Sequence, residues 1–406
     1  MRTFRRCSLA LFLTWLILAS ARTEYRPTAL DLALAPYRYS LFGWELSHLP
    51  DKWLHKLDGA LTWWQRPASA DELAWAREYF SLAQRSGQLT RSLRAGSLSP
   101  EQVQQTQQEL DSLDQRQQRL RPFVEQNIEG AVTNTLAQKG MIGWWGGVFP
   151  PVDAAFSGTP NILVTSPRER IERQWAILLS PNMQDQQMEQ VEAEVRNGRG
   201  LSAIVEATGG VASYPSVVSD AYGLHNAVVT VAHEWVHHWL AFHPLGQGFN
   251  QSPEMTTLNE TVATIVGEEI GDQAFAVLTG QPVNRTPSEA RPPAPGAFDF
   301  NAAMRETRLG AEALLAQGKV DEAEAYMEQR RLYLVEQGYI IRKINQAYFA
   351  FHGSYATTPG SVSPIGRQLR DLRERSGSVK QFLDTVAGFG SYGAYEEYVG
   401  GEVPRP

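Results

Sequence analysis

The chain has 406 residues, 43% of them hydrophobic, with eleven tryptophans and a formal net charge of −7. That length allows two or three domains or subdomains with a sizeable core, and the tryptophan content argues against disorder. An acidic balance without a basic patch or stripe excludes the electrostatic footprint of a nucleic-acid binder.

The N-terminus reads as an address. Arg2, Arg5 and Arg6 precede an apolar run from Leu9 to Leu18, and Ala19-Ser20-Ala21 supplies the small residues of a cleavage site. This layout predicts a secretory signal peptide over 1–21, with an uncleaved, membrane-associating anchor as the alternative. Either places the remainder outside the cytoplasm, whether secreted, periplasmic or anchored. The single cysteine, Cys7, lies inside that segment. The rest therefore has no disulfide, no cysteine nucleophile and no cysteine-type metal site. Beyond residue 21 no run of 18 apolar residues predicts a membrane span.

From Thr28 to Gly140 the pattern is helical. Residues 71–93 read as one amphipathic helix. Residues 100–138 read as a longer one, with Val103, Leu110, Leu113, Leu120, Val124, Ile128, Val132 and Leu136 at steps of three and four. Ser99-Pro100-Glu101 makes a helix start. The pair predicts a helical hairpin, and the glutamine-rich face leaves a partner-binding coiled coil open as an alternative. Gly143–Pro151, rich in glycine, proline and aromatics, marks a boundary. After it, strands are expected over 161–165, 175–179, 201–207 and 211–218, with a helix over 183–197. Helices over 224–242 and 257–278 follow. Residues 281–298 form a proline-rich linker or loop, then 300–317 and 320–352 read as a helix pair and 362–386 as one or two closing helices. The expected organisation is a helical region over 22–142, a catalytic core over 143–280, and a helical region over 299–406 that completes the site. The fold class is α+β, predominantly helical.

His233-Glu234-Trp235-Val236-His237 is an HExxH sequence. Residues i and i+4 share a helix face, so both imidazoles can reach one ion, and Glu234 can serve as general base to a water held there. The apolar lead-in Ala227–Ala232 predicts a buried helix. Two residues compete as third ligand. His243 lies six residues after His237, the metzincin spacing, but Leu240 stands where glycine would let the chain turn back. Met255 downstream has no other support as a metzincin-type Met-turn. Glu260 lies 23 residues after His237 on a second apolar helix, with Glu268 and Glu269 further along it. A His₂Glu set leaves a fourth position for water, and Glu260 is the stronger candidate.

HEWVH at 233–237, NETVAT at 259–264, and Asn345-Gln346-Ala347-Tyr348-Phe349-Ala350 with Tyr355 occur in that order. Over about 220–390 the chain thereby resembles a family of predicted bacterial gluzincin aminopeptidases, often membrane-associated. Gln346 stands where that family has a second asparagine. The resemblance implies a zincin-like core flanked by helical N- and C-terminal regions. It also implies one Zn²⁺ and hydrolysis of a peptide or protein substrate; aminopeptidase activity is itself a prediction within that family. The metal ligands are then His233, His237 and Glu260, and the catalytic residues are Glu234 and Tyr355. Tyr355 would donate to the oxyanion, with His352 as its rival. Asn259 and Thr264 are expected to orient ligands from behind, and His238 to lie on an exposed face. Thr208-Gly209-Gly210-Val211 reads as an edge strand to pair with substrate, or as a turn. The alternative to an enzyme is a helical cell-envelope interaction protein with a structural or vestigial metal site.

Overall fold

The computed structural model describes residues 28–45, 69–94, 98–143, 146–283, 298–356 and 361–401, with Gly96 and Thr358. The expected signal segment over 1–21 and most of the proline-rich segment lie outside the described residues. The chain divides into two compact units, Met1–Pro36 and Tyr37–Pro406. In the first, helix α1 (Ala29–Leu34) is opened by a capping box: the Thr28 hydroxyl accepts from Asp31 N, and the Asp31 carboxylate accepts from Thr28 N at 2.9 Å. The second unit carries everything that follows.

Within it α2 (Ser69–Arg94) and α3 (Pro100–Gln138) are two long helices packed on each other as the periodicity predicts. Ser99 caps α3 by accepting from Gln102 N, while the Gln102 side chain accepts from Ser99 N at 2.8 Å. Only the second half of α3 is core: Leu120, Val124, Ile128, Val132 and Leu136 are buried, whereas Val103 is exposed.

Two small sheets follow. In one, β2 (Asn161–Ser166) lies between β3 (Trp175–Leu179) and β4 (Ser202–Ala207), antiparallel to both. Helix α4 (Asp185–Arg199) connects β3 to β4. The other sheet has the order β1 (Ala154–Phe156), β6 (Ser216–Val218), β5 (Gly210–Val211), with β1 parallel and β5 antiparallel to β6. Strand β1 has no counterpart in the sequence expectation. Its backbone N–H groups at Ala154 and Phe156 donate to Glu129 (3.0 Å) and Glu125 (2.8 Å) of α3, two buried glutamates one helical turn apart. Side chains thus satisfy donors that would otherwise need another strand. The strand expected over 211–218 is split in two at Ser213-Tyr214-Pro215, where proline cannot donate to a ladder.

Helices α5 (Gly223–Leu240) and α7 (Pro253–Thr279) form the centre of the unit, joined through the short α6 (Pro244–Gln247). Two glycines of α7 set how closely they pack. A Cβ at Gly267 would lie 2.7 Å from His233 Cα, and one at Gly271 would lie 2.6 Å from Val229 Cα. Any larger residue there would push the helices apart.

Helices α8 (Phe300–Leu315) and α9 (Val320–Glu336) pair as expected, but the single helix expected over 320–352 is broken. Gly338, with φ +92°, ends the first part. Asn345 then caps α10 (Gln346–His352), accepting from Tyr348 N and donating to Ala203 O, both at 2.8 Å. The intervening segment is tied to α4 and β4 by buried Glu192, which takes Arg342, Lys343 and Val205 N. These long-range partners outweigh the helical pattern between them. Helices α11 (Ile365–Arg375), α12 (Val379–Ala387) and α13 (Tyr392–Gly401) close the chain. The architecture is α+β and predominantly helical. Among the described residues no helix is long and apolar enough to cross a membrane.

Candidate metal centre

Ala227, Val228, Val231 and Ala232 of α5 are buried, so the helix is held in the core one turn before the HExxH residues. The His233 and His237 rings meet edge to face with centroids 4.8 Å apart, and their Nε2 atoms are 3.1 Å apart. From α7, Glu260 Oε2 approaches these nitrogens at 3.6 and 3.4 Å. The structure therefore brings together the three residues selected from the sequence, with one ligand atom from each inside 4.8 Å of the others.

The hydrogen bonds behind this group identify what it can hold. Asn259 Nδ2 donates to Leu245 O at 3.4 Å, which turns its Oδ1 towards His237 Nδ1 at 2.8 Å. His237 must then carry its proton on Nδ1 and present a lone pair on Nε2. Glu260 Oε2 is buried without a hydrogen-bond partner. Lone pairs converging on one point, one of them from a buried carboxylate, need a cation. This His-His-Glu group could hold a metal ion. In the protein alone a proton takes that role. Burial disfavours the His237 cation, but the charge of Glu260 outweighs it and lifts His237 above its usual value. Burial likewise opposes the Glu260 carboxylate, and the two histidines overcome it and hold Glu260 well below the usual range. Replacing Asn259 by Ala leaves the His237 tautomer undefined. It is expected to weaken metal affinity about 10- to 100-fold, measured by competition with a chromogenic chelator.

Glu234 is 5% exposed and is not one of the three grouped residues. Burial raises its pKa, the charge of Glu260 adds to this, and the neighbouring histidines oppose it. Strand β5 lies directly against it: a Cβ at Gly210 would fall 2.4 Å from Glu234 Oε1 and 2.7 Å from Thr230 Cγ2. Tyr355 follows α10 and is positioned by its neighbour, since Ala356 N donates to Thr261 Oγ1, next to Glu260, at 3.2 Å. Its phenol is pushed far above its usual value by the charge of Glu260 first, then by burial and by Glu234. It remains a proton donor across the neutral range. Glu234, Gly210, Tyr355 and the His-His-Glu group line one cavity of about 590 Å³.

The other sequence candidates lie elsewhere. His243 is not among the three grouped residues; its Nδ1 bonds Trp239 O at 2.8 Å and its ring stacks on Trp239. Met255 is buried in the first turn of α7, and Glu269 is paired with Arg373 through two 2.7 Å bonds. Thr264 donates its hydroxyl to Glu260 O at 2.9 Å, within its own helix. His352 packs on Tyr348, its pKa lowered to about 4 by burial, and does not line the cavity. His238 departs from its expected exposure. It is partly buried, its ring edge to face with Tyr214, and burial pushes its pKa down to about 4. Arg173, on the connection from β2 to β3, lines the cavity without any motif to mark it in the sequence. Comparison with protein-family models, with curated proteins and with solved structures finds no match for this chain.

Proposed function

We propose that the chain is a zinc-dependent peptidase of the gluzincin type, with a zincin-like core built from β5, α5 and α7, acting outside the cytoplasm. The observation that carries this reading is the convergence of His233 Nε2, His237 Nε2 and Glu260 Oε2, with a separate buried carboxylate, Glu234, on the same cavity. The order of HEWVH, NETVAT and the 345–355 segment, similar to that family, adds support, and the N-terminal 21 residues support the location. Two imidazoles and one carboxylate are a donor set suited to zinc. When bound, zinc supplies Lewis acidity and a water acidic enough to attack at neutral pH.

The chain's own residues supply the remaining chemistry. Glu234 takes the proton of the attacking water on its carboxylate and delivers it to the leaving amine. The Tyr355 hydroxyl donates to the carbonyl oxygen as that atom gains charge. Strand β5, last in its sheet among the described residues, offers its outer edge to the substrate backbone beside Glu234.

Purified protein is expected to contain about one zinc per chain by mass spectrometry and to hydrolyse members of a fluorescence-quenched peptide library. His233→Ala should abolish both. A zinc-loaded protein inert towards every peptide would overturn the reading. Gly210→Ala forces a methyl group onto Glu234 and is expected to lower kcat/KM about 10²-fold while metal content is kept. A rate within a factor of two of wild type would remove β5 from the site.

A further inference from the structure

We propose that Arg173 anchors the substrate in this cavity and selects peptides that present a carboxylate, either the free C-terminus or an acidic side chain. This rests on the peptidase reading above. Backbone bonds hold Arg173 at the base of the β2–β3 hairpin, since the next two residues are pinned to Thr165: Gln174 N donates to its carbonyl at 2.9 Å and Trp175 N to its hydroxyl at 3.1 Å. Its side chain is partly buried and lines the cavity that holds His233, His237, Glu260 and Tyr355.

The other arginines of this connection are occupied. Arg168 pairs with Glu324 and Asp321, and Arg170 pairs with Glu172. Arg173 has no carboxylate within ion-pair distance among the described residues, although Glu172 and Glu254 line an adjoining cavity that it also borders. A guanidinium held at the wall of a mostly apolar cavity without a counter-charge is a ready receptor for a planar carboxylate, which it can bind through two parallel hydrogen bonds. The cavity's acids point the same way. Among the described lining residues they are Glu234 and Glu260, both committed to the metal centre and its chemistry. A substrate ammonium therefore finds no third carboxylate there, whereas a substrate carboxylate finds Arg173.

The test uses the zinc-loaded full chain and one library-selected peptide in matched forms: free acid or amide at the C-terminus, free or acetylated at the N-terminus, and with each internal Glu or Asp changed to its amide. Wild type is expected to prefer a carboxylate form about a hundredfold in kcat/KM. If the anchor is the terminus, amidation removes the preference. If it is a side chain, the Glu→Gln or Asp→Asn change removes it. In Arg173→Gln the carboxylate-to-amide ratio should fall towards one, and Arg173→Lys should restore part of it. A wild-type ratio near one, an undiminished ratio in Arg173→Gln, or a strict need for a free N-terminus overturns the proposal. Calorimetric binding of the matched peptides to zinc-loaded Glu234→Gln protein separates this from failure of the peptidase reading. Carboxylate-selective binding that Arg173→Gln erases upholds Arg173 even without hydrolysis, and equal binding of all forms rejects it.

Discussion

Glu234→Gln is expected to lower kcat for peptide hydrolysis about 10³-fold while the protein keeps one metal ion per chain. The substitution is nearly isosteric and changes little except the ability to accept a proton. Glu234 is buried and contributes none of the three converging ligand atoms, so the ion site should survive it. Burial already disfavours its charge, so a neutral amide should not destabilise the fold, and Tm should stay level or rise. Metal analysis, thermal unfolding and steady-state kinetics on the same sample separate loss of the base from loss of the site. Activity within tenfold of wild type would rule out Glu234 as the general base.

Glu260→Ala is expected to weaken metal binding by roughly 10³-fold, and His243→Ala to leave it unchanged. The first removes the only anionic donor of the group, from a position 3.4 and 3.6 Å from the two imidazole nitrogens. The second removes a ring that stacks on Trp239 and bonds its carbonyl. The opposite pattern would move the third ligand to His243. The same carboxylate gives metal binding a pH dependence. It raises the pKa of His237, so an incoming ion must displace a proton at neutral pH. Affinity should therefore rise about tenfold per pH unit between pH 6 and 8, with about one proton released per ion. Calorimetry in buffers of different ionisation enthalpy reads that proton directly. In Glu260→Ala the release at pH 8 should shrink, because His237 loses the charge that holds its proton.

Much of the helical architecture was legible in the chain itself. The ends of α3 at Pro100 and Gln138 follow from a capping serine and a sustained three- and four-residue repeat, which are local rules. Strands β2, β3 and β4 were visible as short β-branched or aliphatic runs. What escaped was settled by partners distant in sequence. Strand β1 exists because Glu125 and Glu129 of α3 satisfy its donors. The break between α9 and α10 needs Glu192, some 150 residues upstream of Arg342, to hold the segment between them. The ring contact of His238 with Tyr214 likewise joins residues that no periodicity links.

The candidate metal centre divides in the same way. His233 and His237 share a face because they are one helical turn apart, so the sequence alone determined that pair and the adjacent Glu234. Glu260 could be selected from its place on a second apolar helix, but not brought within reach. That required α7 to lie against α5 as closely as Gly267 and Gly271 allow. Asn259 as the partner of His237, Gly210 against Glu234 and Arg173 on the cavity wall were decided by tertiary structure. The reason is physical: spacing along a helix is fixed by backbone geometry, whereas contacts between separate helices, strands and loops depend on which surfaces can pack together.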